Sequence, residues 1–297
     1  MYYHISHTTT FTYDRPVFLA PHILRLRPRS DGLQRLCNFA LNVIPHPAGM
    51  ACVLDLDGNA IERVWFESAT KQLEITTTVQ IETCQTNPFY SQVESWAAKL
   101  PIDYPGSLLA QLQPYLKSYT PVPDPVAIDL AQDLTRKVEG KTTAFLGKLN
   151  QHLYKICQKI ERENDDPWFP GITWKAKRGS SRDLAVLFME VCRSIGLAAR
   201  FVSGYRASPS SEERSEVSAW AEVYLPGTGW RGYDPSQGLV VADNYIALSA
   251  SAFTRYTTPI QGDFTPAEFA VTGNLKSQVK VEVSEDIHLR SEKGVSD

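Results

Sequence analysis

The sequence predicts an α+β fold in which an N-terminal antiparallel β-sandwich precedes a core of helices packed on a second antiparallel sheet. Apolar side chains alternate with a period of two residues through much of residues 1–88, as in half-buried strands. Three segments between residues 124 and 196 instead repeat apolar residues every three or four positions, as in amphipathic helices. Alternation returns after residue 200, so strands follow the helices along the chain.

The composition is typical of a folded protein of about two domains. The chain has 297 residues, 43% of them hydrophobic and 21% charged, which excludes a largely disordered protein. One hydrophobic core usually stops growing at roughly 250–300 residues, which favours two domains. Because 30 Lys and Arg residues face 33 Asp and Glu residues, we expect no nucleic-acid partner and no binding to a membrane.

The sequence also predicts a cytoplasmic protein without a metal or a cofactor. No run of about 18 uninterrupted apolar residues is present, and the first residues lack the cationic and apolar segments of a signal peptide. The five cysteines are an odd number, are scattered and form no C-x-x-C pair. This pattern argues against a disulfide framework and against a zinc site.

Residues 1–88 are predicted to form the sandwich domain. Alternating segments span residues 3–13, 37–43 and 73–81. Between the last two, Asp57-Gly58-Asn59 supplies residues that tolerate a positive φ and therefore predicts a tight turn.

Residues 89–123 are predicted to be a proline-rich connector, and residues 124–297 the second domain. Asp124 followed by Pro125 is a typical helix start, because a capping side chain precedes a proline in the first turn. One helical stripe then spans residues 127–138, and a second spans residues 145–160.

The third helix has the clearest boundaries. Ser180 and Asp183 match the S-x-x-D capping box at its start, and Gly196 can supply the left-handed residue at its end. Strands are predicted over residues 217–225 and 230–233, on either side of a turn, and the last strand over residues 279–283.

Residues 178–235 resemble a known family. The motif RGSSRDL at residues 178–184 resembles the nucleophile motif of bacterial transglutaminase-like proteins, within the papain-like cysteine protease superfamily. AWAEVYLPG at residues 219–227 and DP at residues 234–235 are also similar to that family. In the N-terminal region His7, Thr9, Tyr13 and the Asp57-Gly58-Asn59 turn resemble the segment that precedes this core. The resemblance implies a transglutaminase-like, papain-like core.

Position by position, the resemblance places the nucleophile at Ser181, the base at Ser218 and the orienting acid at Asp234. In the family a cysteine thiolate at a helix N-terminus attacks a carboxamide, and a histidine held by an aspartate acts as the base. Here serine stands at both of the first two positions. A hydroxyl needs an adjacent base to attack, and a second hydroxyl does not supply one near pH 7.

We do not expect the remaining histidines to replace the base. They are His4, His7, His22, His46, His152 and His288. The first four lie in the sandwich region, where a strand histidine is more often a packed or hydrogen-bonded residue. His152 lies within a helix, beside its apolar stripe, and His288 lies near the C-terminus.

The sequence therefore predicts a transglutaminase-like protein that has lost catalysis and binds or scaffolds a protein or peptide in the former active-site cleft. The alternative is an active amidase, protease or acyl-transferase that uses Ser181 with a base from outside the family pattern. A third hypothesis is a purely structural domain. The non-catalytic interpretation of Ser180 and Ser181 is helix capping, and that of Asp234 is a hydrogen bond within its turn or to Ser218. The polar loop over residues 208–216 is expected to lie at the rim of the cleft.

Overall fold

Six strands form most of the N-terminal region in the computed structural model, which describes residues 1–84, 87, 92–162, 166–207, 217–266 and 272–284. They are β1 (Tyr2–Leu19), β2 (His22–Leu24), β3 (Gln34–Ile44), β4 (Gly49–Leu54), β5 (Ala60–Trp65) and β6 (Thr70–Thr83). The three alternating segments of the sequence thus lie in β1, β3 and β6. The Asp57-Gly58-Asn59 turn joins β4 to β5, and Gly58 has a φ of +75° there.

Helices and two very short strands follow. They are α1 (Gly106–Leu116), α2 (Pro125–Lys137), α3 (Thr142–Ile156), β7 (Gln158–Lys159), α4 (Pro170–Ala176), β8 (Arg178–Gly179) and α5 (Ser181–Arg193). The remaining strands are β9 (Ala199–Arg206), β10 (Val217–Leu225), β11 (Gly229–Asp234), β12 (Leu239–Val240), β13 (Tyr245–Ser251), β14 (Ile260–Gln261), β15 (Phe264–Pro266) and β16 (Gly273–Ser284). The order of strands, helices and strands confirms the α+β prediction. No helix in the described part of the chain is long and apolar enough to cross a membrane.

The strands form three main sheets. One has the order β15-β1-β6-β3, with β16 also paired to β1, and the second has the order β14-β2-β5-β4. The third, in the core, has the order β12-β11-β10-β9-β13. Every pairing in these three sheets is antiparallel, as the sequence predicts.

The last strand belongs to a different sheet from the one that the sequence suggests. It was predicted within the second domain, but β16 pairs with β1 from Tyr2↔Ser284 to Tyr13↔Gly273. The 18-residue β1 has β6 on one side, so its other side offers a long row of main-chain groups for the C-terminal strand to pair with. The two ends of the described chain therefore lie side by side.

The core is built around α5. Its residues from Asp183 to Arg193 are all buried, and Ala219, Ala221 and Val223 of β10 pack in the same apolar cluster as the helix. Ser180 caps the helix and forms the predicted capping box with Asp183. Gly196 closes the C-terminal end with a φ of +79°, a conformation that favours glycine.

Two helical segments differ from the sequence prediction. The second stripe continues to residue 160, but α3 ends at Ile156, because the N–H groups of Gln158 and Ile160 bond to the carbonyls of Lys177 and Gly179 in the parallel β7–β8 pair. The predicted connector contains the helix α1, which has Pro114 in its interior.

The sandwich and the core are joined by buried contacts. Tyr205, Ile246 and Leu248 of the core sheet pack in the same apolar cluster as the residues of β1 and β6. The Asn59 side chain, which is fully buried, accepts from the N–H of Ala250 at 2.9 Å and donates to its carbonyl at 3.0 Å. The turn between β4 and β5 is thereby fixed against β13.

Candidate functional site

Ser181 occupies the first turn of α5. It follows the N-cap residue Ser180, whose hydroxyl accepts from the Asp183 N–H, and its own side chain is largely buried. The N-terminus of a helix carries a partial positive charge that stabilises an anion. The fold thus keeps residue 181 where a cysteine would be activated, although a hydroxyl gains far less from that charge.

Asp183 holds the surroundings of Ser181 together. One carboxylate oxygen accepts from the Ser180 N–H at 2.7 Å and from the Ser180 hydroxyl at 2.9 Å. The other accepts from Arg162 Nη1 at 2.6 Å and from the Trp168 N–H at 2.7 Å. Because this carboxylate is completely buried and has four donors, its role in the structure is to fix α5 to the preceding segment.

Ser218 and Asp234 lie on neighbouring strands of the core sheet. Ser218 is the second residue of β10, opposite Gly204 of β9, and Asp234 is the last residue of β11. Continuing the register Ala221↔Tyr233 puts Trp220 opposite Asp234, so Ser218 and Asp234 are diagonal neighbours on one face of the sheet. A long side chain at position 218 could reach the acid, but a serine side chain is much shorter.

Asp234 instead accepts hydrogen bonds from two residues that follow it in the chain, Ser236 and Tyr245. Its Oδ1 accepts from the Ser236 N–H at 2.9 Å and from the Ser236 hydroxyl at 2.7 Å. Its Oδ2 accepts from the Tyr245 hydroxyl at 3.0 Å. Burial raises the pKa of Asp234 above its usual value, and the bonds from Ser236 and Tyr245 oppose that rise. Both carboxylate oxygens therefore have partners in this arrangement.

A cleft of about 540 Å³ lies where α5, the core sheet and the N-terminal sandwich meet. Ser181 and Ser218 both line it, whereas Asp234 is not among the described residues that do. Its walls combine hydroxyl groups and apolar side chains with five charged residues, Lys159, Glu161, Arg162, Asp166 and Arg182. The hydroxyl-bearing residues are Thr9, Ser180, Ser181, Ser203, Ser218, Thr254, Thr257, Thr258 and Ser277. This volume falls within the range of small-ligand sites.

The structure places His7 in the cleft, whereas sequence reasoning expected it to be a packed strand residue. His7 of β1 is the one histidine that lines it among the described residues. Its Nδ1 is 2.9 Å from the Tyr205 hydroxyl, and its Nε2 is 3.0 Å from the hydroxyls of both Thr9 and Ser277. Burial lowers the pKa of His7 to about 4, so the imidazole is neutral near pH 7. The resemblance included His7 and Thr9 among the residues of the N-terminal region, but no local pattern connects them to Ser181.

The sequence-predicted residues thus divide into two groups. The fold brings Ser181 and Ser218 to one cleft, and it places Asp234 in a closed hydrogen-bonded environment. The expected rim loop, residues 208–216, lies outside the described residues.

Comparison with known families matches two parts of the chain. Residues 3–82 match the bacterial transglutaminase-like N-terminal region, and residues 129–235 match the transglutaminase-like superfamily. The second match contains Ser181, Ser218 and Asp234. The first ends within β6, so the family assignments follow the division between the sandwich strands and the core.

Whole-chain relatives are also found. The uncharacterized protein ML0607 of Mycobacterium leprae is 24% identical over 277 residues, covering 88% of this chain and 92% of its own length. The uncharacterized protein Rv2569c of Mycobacterium tuberculosis is 25% identical over 293 residues, with coverages of 88% and 86%.

Among solved structures, a protein of Cytophaga hutchinsonii described as a cysteine protease superposes with a TM-score of 0.72 at 15% identity. The superposition covers 96% of this chain and 92% of that protein, which shows that both domains share its fold. The chain thus contains the bacterial transglutaminase-like N-terminal region at residues 3–82 and a core of the transglutaminase-like superfamily at residues 129–235.

Proposed function

We propose that this chain is a transglutaminase-like protein without amide chemistry, which binds a peptide or a segment of a partner protein in the cleft beside Ser181. The observation that carries the proposal is the environment of Asp234. Its oxygens accept from Ser236 and Tyr245, and position 218, where the family places an imidazole, holds a serine.

Proton transfer is the physical basis of the proposal. A serine attacks a carboxamide only when a nearby base removes its proton. Ser218 cannot act as that base at neutral pH, and the two hydrogen-bonding oxygens of Asp234 are directed at other groups. Loss of residues that act together in such a unit costs several orders of magnitude in rate.

The walls of the cleft support binding of an extended peptide. Its hydroxyl groups can donate to and accept from peptide main-chain groups. Phe11 and Leu275 from the sandwich, and Phe201 from the core, provide apolar contacts for side chains. Because residues of both domains line the cleft, a bound peptide would contact both.

The alternative is acyl chemistry at Ser181 with a base from outside the family pattern, and His7 is the residue that favours it. Its ring lines the same cleft as Ser181. Two observations oppose a catalytic role for His7. Both ring nitrogens have hydroxyl partners in Tyr205, Thr9 and Ser277, and a pKa lowered to about 4 makes the imidazole a weak base.

Catalysis is tested by ammonia release from carboxamide peptides, with and without hydroxylamine as the acceptor, and by labelling with a fluorophosphonate probe. We expect wild type and Ser181→Ala to give the same background in both assays. Turnover or labelling that disappears in Ser181→Ala would establish the alternative. The matched control is Ser180→Ala, which changes the adjacent serine and the helix cap.

Binding is tested by affinity selection from a pool of Nα-acetylated, C-terminally amidated random hexapeptides, read out by mass spectrometry. Ser277→Trp places a large side chain at the exposed rim of the cleft, and Gln278→Trp is its matched control, because alternate residues of β16 point to opposite faces. We expect wild type, Ser181→Ala and Gln278→Trp to retain the same peptides and Ser277→Trp to lose them. Equal retention by both tryptophan variants would place binding outside the cleft.

A further inference from the structure

β4 is an edge strand with an uncharged sequence. It lies at the end of the β14-β2-β5-β4 sheet, and its residues Gly49–Leu54 read GMACVL. All of them except Gly49 are exposed, with Leu54 73% and Met50 51% accessible. Proteins usually protect such edges with charges, prolines, bulges or short length, because a free edge can pair with another strand.

Other described edge strands have such protection. β3 carries Arg35, which forms an ion pair with Glu82, and β16 carries Lys280, which forms an ion pair with Glu282. β12 and β14 have only two residues each, and β15 has three, one of them a proline. β13 is uncharged but almost entirely buried. β4 therefore stands apart in combining length, exposure and the absence of charge.

The inner face of β4 is left uncovered by the sandwich. Met50 lies opposite Val64 and Cys52 opposite Glu62 in the β4–β5 register, and both of these β5 residues are buried. Directly opposite residues share a face of the sheet, so Met50, Cys52 and Leu54 point to the buried side and are nonetheless exposed. A further strand beside β4 would cover them.

The main-chain groups of these same residues also point away from β5. The Asp55 N–H bonds to the Asn59 carbonyl, which fixes the alternation of hydrogen bonds along the antiparallel pair. Odd-numbered residues of β4 are thus bonded to β5. The N–H and C=O groups of Met50, Cys52 and Leu54 face the open edge.

We propose that two copies of this chain associate through antiparallel pairing of their β4 strands about a two-fold axis. Centred on Cys52, this pairing places Leu54 opposite the second copy's Met50 and Cys52 opposite the second copy's Cys52. Each apolar side chain then covers an apolar one, and the sandwich sheet continues from one copy into the other.

The chemistry of the strand favours a second copy over a different partner. Because β4 has no charged residue, its two-fold pairing brings no like charges together, which would otherwise oppose self-association. Specific dimers bury about 800 Å² per partner. Leu56, which is fully exposed, adds apolar surface next to the end of β4 in each copy.

Sedimentation equilibrium of the full chain over the micromolar range tests the dimer. We expect a dimer for wild type and for Val122→Lys, which makes the same kind of change at an exposed valine of the connector. Leu54→Lys should weaken self-association by about tenfold or more, because it places two lysines at the shared edge. Circular dichroism of each variant verifies that it is folded.

Oxidation with copper–phenanthroline tests the register. Cysteines opposite each other in a hydrogen-bonded pair have Cα atoms about 5.5 Å apart, within the range of a disulfide. The oxidant takes two electrons and the two thiol protons leave, so that the two Cys52 sulfurs join. In a Cys37→Ser, Cys84→Ser background, Cys52 is the one exposed cysteine that remains among the described residues, and we expect a linked dimer. We expect no linked dimer when Cys52→Ser is added to that background. A monomer at all concentrations, a dimer that Leu54→Lys does not weaken, or the absence of the Cys52 cross-link would each overturn the proposal.

Discussion

The Tyr245 hydroxyl donates a hydrogen bond of 3.0 Å to Asp234 Oδ2, and Asp234 is the residue that the sequence resemblance assigns as the acid that orients an imidazole. Both residues are buried, and the Tyr245 ring packs edge-to-face on Trp220 with centroids 5.2 Å apart. The acid is therefore part of a buried hydrogen-bonded cluster on one face of the core sheet. In this arrangement Asp234 can contribute to stability without orienting an imidazole.

Tyr245→Phe should destabilise the protein by about 2 kcal/mol at pH 7, because a buried carboxylate loses a charge-assisted hydrogen bond. The loss should be smaller at low pH, where Asp234 is protonated and depends less on a donor. Urea unfolding at the two pH values measures both effects, with Tyr154→Phe at a half-exposed tyrosine as the control. An equal loss at both pH values would contradict an ionised Asp234 at neutral pH.

Ser181→Cys combined with Ser218→His should create a reactive thiol. The helix N-terminus and a nearby imidazolium both lower a cysteine pKa from its usual value of about 8.5. In a background with Cys37, Cys52 and Cys84 changed to serine, we expect the double variant to react with iodoacetamide at pH 7 about tenfold faster than Ser181→Cys alone.

The pH profile of that reaction separates two causes of failure. If the rate of the double variant depends on pH as that of an ordinary thiol does, Asp234, held by Ser236 and Tyr245, does not orient the new imidazole. Addition of Tyr245→Phe should then increase the rate, because it frees one oxygen of the acid. No increase would indicate that the geometry of the site has changed more widely.

His7 should make stability depend on pH. Its pKa is lowered to about 4 in the folded protein, whereas the ordinary value is 6.5, so the folded state resists protonation of this imidazole. The stabilisation is full above pH 6.5 and is lost as the pH falls toward 4, by up to about 3 kcal/mol. His7→Gln should therefore lose less stability than wild type between pH 7 and pH 4.5. His46→Gln, at an exposed histidine, should behave as wild type in the same thermal unfolding series.

Asn59→Ala should loosen the contact between the sandwich and the core. It leaves the buried N–H and C=O of Ala250 without a side-chain partner and removes one of the acceptors of Arg29. Each unsatisfied buried group costs roughly 1–3 kcal/mol, so we expect a loss of about 3 kcal/mol in urea unfolding. Asn42→Ala on the exposed surface of β3 is the control, and similar losses for the two variants would contradict the assigned role of Asn59.

Asp183→Ala should be more damaging than Ser180→Ala. The serine variant loses the helix cap, which costs about 1 kcal/mol. The aspartate variant also leaves Arg162 and the Trp168 N–H without their buried acceptor, and breaking a buried ion pair costs about 3–5 kcal/mol. Thermal unfolding of both variants measures the difference. Equal effects would indicate that Asp183 acts through the cap alone.

The sequence by itself determined the features that depend on nearby residues. Alternation predicted the strands around residues 3–13 and 73–81, the Ser180–Asp183 capping box predicted the start of α5, and all are confirmed. The presence of serine at positions 181 and 218 also comes from the sequence alone. Such signals are local, since caps, turns and periodicity involve residues only a few positions apart.

The tertiary structure alone decided which distant groups meet. β16 pairs with β1 although the paired residues are 260 to 282 positions apart in the chain, α3 ends early because β7 pairs with β8, and His7 reaches the cleft of Ser181. The choice of Tyr245 as the partner of Asp234 is of the same kind. These contacts form only when complete sheets and helices pack against one another. No pattern of neighbouring residues specifies which distant groups then meet.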